Sequence, residues 1–357
     1  MLTKLRLSYF FTLGSIILLS LACNFTGNPS ISSPSDQLSP VVEASSISKP
    51  DPKPDPEPDP GPGQLNLPQQ NGADLKLSKS YFNQDKNVLT SVFELENVNS
   101  DKALTEINYL VHAYDTNGTE LSTDAYFIES LHQGEKTTVV SELWLSEGEQ
   151  TGSVTLDWEY RLGENINKMR EFQAHLPRVL NSEFSGVSKI TGILSNSSPD
   201  TIIDIRVDAV GYNSTGEIVG GGLTTITFVP GNKQVGFKIT GYFKEEPTSI
   251  IFFPRKTYLT TMNANTELDQ NLIVVDSNYA LFDSTLGGGY IISNNGNQAI
   301  SRFDTYLTIY DQDGTTCEVL TSEGNHIFSG ETTGISSGPI FLPPACNYRD
   351  FELFFFP

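Results

Sequence analysis

The sequence predicts an all-β chain of three tandem antiparallel β-sandwich domains, and three observations predict it. Tyr114, Tyr212 and Tyr310 stand 98 residues apart, each followed four residues later by glycine, at Gly118, Gly216 and Gly314. A period near 98 suits a compact domain with its own core, because stacked solenoid repeats run at about 20 to 50 residues. Within the repeats the apolar period is two: Ile203, Ile205, Val207 and Ala209 alternate with Asp204, Arg206 and Asp208. That alternation predicts a strand with one buried and one wet face. Turn residues recur every few strands, and only residues 164–175 compete as a helix.

The first element, residues 1–22, reads as an export signal. Lys4 and Arg6 precede an apolar run over residues 7–19, which is shorter than the roughly 20 residues a membrane-spanning helix needs. The string Leu19-Ser20-Leu21-Ala22-Cys23 resembles the lipobox of bacterial lipoproteins, and the resemblance implies lipidation at Cys23. Two or three acyl chains give stable anchoring, since each buried CH₂ contributes about 0.8 kcal/mol. Residues 23–72 follow as a Ser-, Pro- and Asn-rich tether with alternate prolines from Pro50 to Pro62. Such composition cannot offset chain entropy by burial, and its prolines favour an extended rod at about 3.1 Å per residue.

Three modules follow, at residues 73–176, 177–262 and 263–357. The strand containing Ile205 and Ala209 recurs as Ile107 and Val111, and as Phe303 and Leu307. Each copy ends at its tyrosine and turns: Asp115-Thr116-Asn117-Gly118, Asn213-Ser214-Thr215-Gly216, Asp311-Gln312-Asp313-Gly314. Asx opens such a turn by bonding the backbone ahead, and glycine closes it at positive φ. Asn97, Asn196 and Asn294 close the preceding strand, and Gly134, Gly231 and Gly330 mark a later turn.

The strings Val111-His112-Ala113-Tyr114-Asp115, Val210-Gly211-Tyr212-Asn213 and Leu307-Thr308-Ile309-Tyr310-Asp311 resemble the FxLYD motif of a small immunoglobulin-like domain of bacterial lipoproteins. All three lack the leading Phe. Asn196-Ser197 and Pro230-Gly231 match the flanking turns of that family, and the other modules keep part of each. The resemblance implies immunoglobulin-like sandwiches and carries no catalytic residue.

Charge narrows the partners. With 22 Lys and Arg against 43 Asp and Glu, the net charge is −21, which disfavours nucleic acid and an anionic membrane surface. The expected attachments are the membrane through Cys23 and an envelope protein or polysaccharide. No enzyme and no cofactor are expected. Gly334-Ile335-Ser336-Ser337-Gly338 spells a nucleophile elbow, but Pro339 and a Phe-rich strand follow, and no histidine comes after His326. His112, His132, His175 and His326 lack metal-ligand spacing, so no metal is expected; the turns at Asp115 and Asp311 read as hairpin turns, with weak calcium binding as their alternative. Trp144 and Trp158 are the candidate ligand contacts. Facing outward with Tyr109, Tyr126 or Tyr160, either would make a sugar-stacking platform, the alternative function. Cys317 and Cys346, outside the reducing cytosol, are expected to pair.

Overall fold

The computed structural model describes residues 74–164, 172–180, 185–262, 271–324, 326–344 and 346–356. All of them belong to one compact unit, Pro58–Pro357. The signal, Cys23 and the whole tether over residues 23–72 lie outside the described residues.

Strands dominate. The first set comprises β1 (Leu75–Asp85), β2 (Val88–Asn97), β3 (Ala103–Tyr114), β4 (Glu120–Leu131), β5 (Lys136–Trp144) and β6 (Ser153–Gly163). The second comprises β7 (Phe172–Val179), β8 (Val187–Asn196), β9 (Ile202–Tyr212), β10 (Ile218–Val229), β11 (Gln234–Phe243) and β12 (Ser249–Lys256), followed by the short helix α1 (Tyr258–Met262). The third comprises β13 (Leu272–Phe282), β14 (Thr285–Asn294), β15 (Phe303–Asp311), β16 (Thr316–Gly324), β17 (Thr332–Ser336), β18 (Ile340–Phe341) and β19 (Tyr348–Phe356).

The pairing order recurs three times, always antiparallel. One sheet is β1-β2-β5 in the first set and β13-β14-β17, with β18 on β14, in the third. The facing sheet is β4-β3-β6 and then β16-β15-β19. In the second set the same two triplets join edge to edge through β10 and β11, giving one six-stranded sheet. Each set buries the inner residues of both triplets: Phe93, Ile107, Val111 and Val139 share one core, and Ile190, Ile205, Val207 and Phe237 another.

Two expectations fail here. Residues 172–179 form strand β7, not the end of a helix, and β7 pairs with β8. A boundary at 176/177 would therefore cut an edge strand whose backbone is bonded into the second set. Nor does each module own its core. Tyr306 and Val319 of the third set pack in the core of the second, and Val92 and Val140 of the first cluster with Val210.

The repeated asparagines explain their own recurrence. Asn97, Asn196 and Asn294 are buried at the ends of β2, β8 and β14. Asn97 Nδ2 donates to the carbonyls of Lys102 and Leu131, Asn196 Nδ2 to Asp200, Val229 and Pro230, and Asn294 Nδ2 to Gln298 and Ile327. Their Oδ1 atoms accept the amides of Asn99, Ser198 and Gly296, each at 2.9 Å. One side chain thus satisfies the backbone of two loops that would otherwise be buried unpaired. The tyrosine turns form as the sequence predicts, with Gly118, Gly216 and Gly314 at φ of 83°, 78° and 83°.

Candidate binding surfaces

Sets one and two meet around a buried ionic cluster. Asp208 on β9 has no exposed surface. Its Oδ1 accepts from Arg206 Nε at 2.9 Å, its Oδ2 accepts from Val140 N at 3.1 Å, and Arg255 Nη1 pairs with Oδ2. Arg206 donates to the Val140 carbonyl and lies 4.4 Å over the Tyr126 ring, while Arg255 Nη2 donates to Tyr109 Oη at 3.3 Å. This corrects the wet face expected for Arg206 and Asp208: period two marks the residues that share a face, but the adjoining set covers that face. Two guanidiniums on one carboxylate, with further hydrogen bonds, offset the desolvation that burial imposes.

Glu142 stands at the rim of this cluster. Burial pushes its carboxyl up to about 7, although the Leu223 amide and Arg206 draw it down and Asp208 raises it further. A groove of about 350 Å³ beside the cluster is lined by Tyr126, Phe127, Asp204, Arg206, Tyr258 and Leu259. A second, of about 800 Å³, runs between Lys79–Gln84 of β1 and the turn at Asn213–Glu217.

The tryptophans do not form a platform. Trp144 ends β5 and is 67% exposed, whereas Trp158 lies on β6 of the facing sheet, half-buried against the core. Tyr109 is buried, stacked 5.3 Å from Tyr126, and Tyr160 packs on the core with its hydroxyl donating to Asp74. Of the five aromatic candidates, Trp144 alone is exposed.

Cys317 and Cys346 form the expected disulfide, with Cα atoms 5.7 Å apart and a sequence separation of 29. Closing such a loop contributes about 3 to 4 kcal/mol on the chain-entropy model. Asp311 lies beside the two sulfurs, but oxidised sulfur is no thiolate ligand. Burial would raise the Asp311 carboxyl, yet Arg178 Nη1 at 2.6 Å and the amides of Asn347 and Asp313 hold it below the usual range. That guanidinium opposes a cation there. At the first turn Asp115 Oδ1 accepts the amides of Asn117 and Thr119, both at 2.8 Å. Ser336 ends β17 and is followed by β18, so the glycine-serine string lacks the helix of a nucleophile elbow.

Sequence reasoning missed what gathers at His112. Its Nδ1 lies 3.2 Å from Glu120 and 3.1 Å from Thr123, and its Nε2 lies 3.7 Å from Asp157. The three partners come from β4 and β6, and only strand register reveals them. The recurrent tyrosines also separate: Tyr310 donates to Glu352 at 3.0 Å, Tyr212 packs among the valines between sets one and two, and Tyr114 lies 6.2 Å from the His112 ring.

No family model matches the chain, and no curated protein does. Three solved structures share local likeness. They are red sea bream transglutaminase (11% identity, 52% of this chain, 29% of that one, TM-score 0.16), latent PorU from Porphyromonas gingivalis (9%, 74%, 30%, 0.15) and E. coli alpha-2-macroglobulin (8%, 83%, 22%, 0.16). The chain spans less than a third of the length of each, and such scores carry no argument about fold or activity. Among the described residues no helix is long and apolar enough to cross a membrane.

Proposed function

We propose that the chain is a lipid-anchored extracytoplasmic protein of a cell membrane or outer membrane, tethered through Cys23. Its three FxLYD-like, immunoglobulin-like sandwiches act without catalysis, binding or spacing an envelope protein or polymer. One observation carries this reading. The residues that recur in every set, the buried asparagines and the Asx of each turn, are engaged in backbone hydrogen bonds. Repetition therefore preserves a scaffold, while the surfaces between repeats differ. Metabolic labelling with a clickable palmitate is expected to tag the wild type, and Cys23→Ala to release the protein from the membrane fraction. An unlabelled wild type would end the anchoring proposal.

The exposure of Trp144 favours a second reading, a carbohydrate-binding face. It predicts glycan-array binding that Trp144→Ala removes without changing the melting temperature. Binding that survives the substitution excludes that face.

A further inference from the structure

Both junctions use one pair of faces. The sheet built from strands one, two and five of a set meets strands three and four of the next. At the first junction Val92 of β2 and Val140 of β5 pack on Val210 of β9. At the second, Thr191 Oγ1 of β8 donates to the Thr316 carbonyl at 2.7 Å, Gly236 N of β11 donates to Thr308 Oγ1 at 3.2 Å, and Lys238 pairs with Glu318.

The receiving positions align on the buried asparagines. Three residues before Asn97, Asn196 and Asn294 stand Glu94, Ile193 and Ile291, whose cross-strand partners are Thr138, Gly236 and Gly334. Thr138, Ile193 and Gly236 are buried, and Glu94 is half-buried. In the third set the same place is open: Ile291 is 38% exposed, and Gly334 and Ser336 are exposed. A Cβ on Gly236 would run into Thr308 and Thr316, whereas nothing lies within 4 Å of one on Gly334. A groove of about 580 Å³ lies over Asp276, Gly289, Ile291 and Gly334.

The docking half is open at the other end. Leu110 of β3 stands 98 residues before Asp208, which stands 98 before Tyr306. Asp208 and Tyr306 are 0% and 6% exposed, and Leu110 is 43% exposed. Both halves of a twice-used interface are thus uncovered on one chain.

We infer that the β13-β14-β17 face receives the β3-β4 face of a second copy, extending the internal junction head to tail. Such a heterologous contact propagates as a ring or filament. It requires neither the lipid at Cys23 nor a carbohydrate ligand. Because each copy carries a large negative charge, association strengthens with added salt.

Sedimentation velocity of residues 58–357, the unit that holds all the described cores, tests this with Ile291→Lys and Leu110→Lys. Both positions are exposed, so the variants are expected to melt like the wild type. The wild type is expected to associate with rising concentration, and each variant to weaken that association about tenfold or more. A one-to-one mixture of the variants forms a heterodimer, since each keeps the half that the other lost. A wild type that stays monomeric at every concentration and salt, or variants that fail to pair on mixing, overturns the proposal. Association along the β13 edge would survive Leu110→Lys and overturn it as well.

Discussion

Where the first set meets the second, a carboxylate without exposed surface holds two guanidiniums of its own set against the first; where the second meets the third, threonine hydroxyls sit on glycine and the ion pairs Arg178–Asp311 and Lys238–Glu318 cross from one set to the other. The same pair of faces makes both junctions, so backbone geometry repeats while side-chain chemistry does not. Val140 aligns with Lys238 and Val210 with Thr308, so neither valine has an apolar counterpart at the second junction. Each face accordingly fits its own neighbour and penalises the wrong one, since a misplaced Asp208 would lose the Val140 amide, and its arginines the Val140 carbonyl, the Tyr126 ring and the Tyr109 hydroxyl. The first junction is the less forgiving of the two. Its net stabilisation against an apolar equivalent is small, but losing one member leaves the others uncompensated.

The contrast breaks most sharply at Asp208. Asp208→Ala leaves Arg206 and Arg255 buried without their anion and is expected to cost about 3 to 5 kcal/mol in urea unfolding. Gly236→Ala pushes a methyl group into Thr308 at the other junction, at an expected cost of about 1 to 3 kcal/mol. Equal losses would erase the distinction between the two junctions.

Acid and base sharpen it further, because the two junctions respond in opposite directions. Glu142 titrates near 7 in the folded chain against 4.5 ordinarily, so folding takes up protons between those values. Stability at the first junction is fully present below about 4.5 and falls as pH rises through 7. Glu142→Gln flattens that slope by about 1 to 2 kcal/mol, allowing for the partial exposure of the group. Asp311, held low by Arg178, stabilises the second junction above the ordinary carboxylate range, and that contribution is lost as pH falls through its folded value. Hydrogen exchange of β5 and β16 amides against pH separates the two responses; parallel slopes would refute the assignment.

Much of the fold was legible because it is local or periodic. The tyrosine interval, the Asx-x-x-Gly turns and the asparagines at strand ends are short-range devices, and each sits where the sequence places it. The faces between sets were not legible. Arg206 and Asp208 follow the same alternation whether water or Val140 lies above them, and no local pattern distinguishes the two. Trp144 and Trp158 read alike as ligand candidates in the sequence, yet they stand on opposite sheets because β5 and β6 belong to different triplets. The His112 cluster likewise depends on cross-strand register, which a period of two leaves undetermined.

The buried asparagines have a chemical consequence beyond folding. An asparagine ages by swinging its side-chain carbon onto the next backbone nitrogen, and a small following residue such as Ser197 eases that motion. Asn196 is pinned at both ends of its amide, by three carbonyls and by the Ser198 amide, so the swing requires the loop to open first. Were it to occur, the new carboxylate would face carbonyl oxygens where a donor had been. Chemical ageing at these three positions is therefore gated by local opening, and a deamidated asparagine would mark the repeat that had opened.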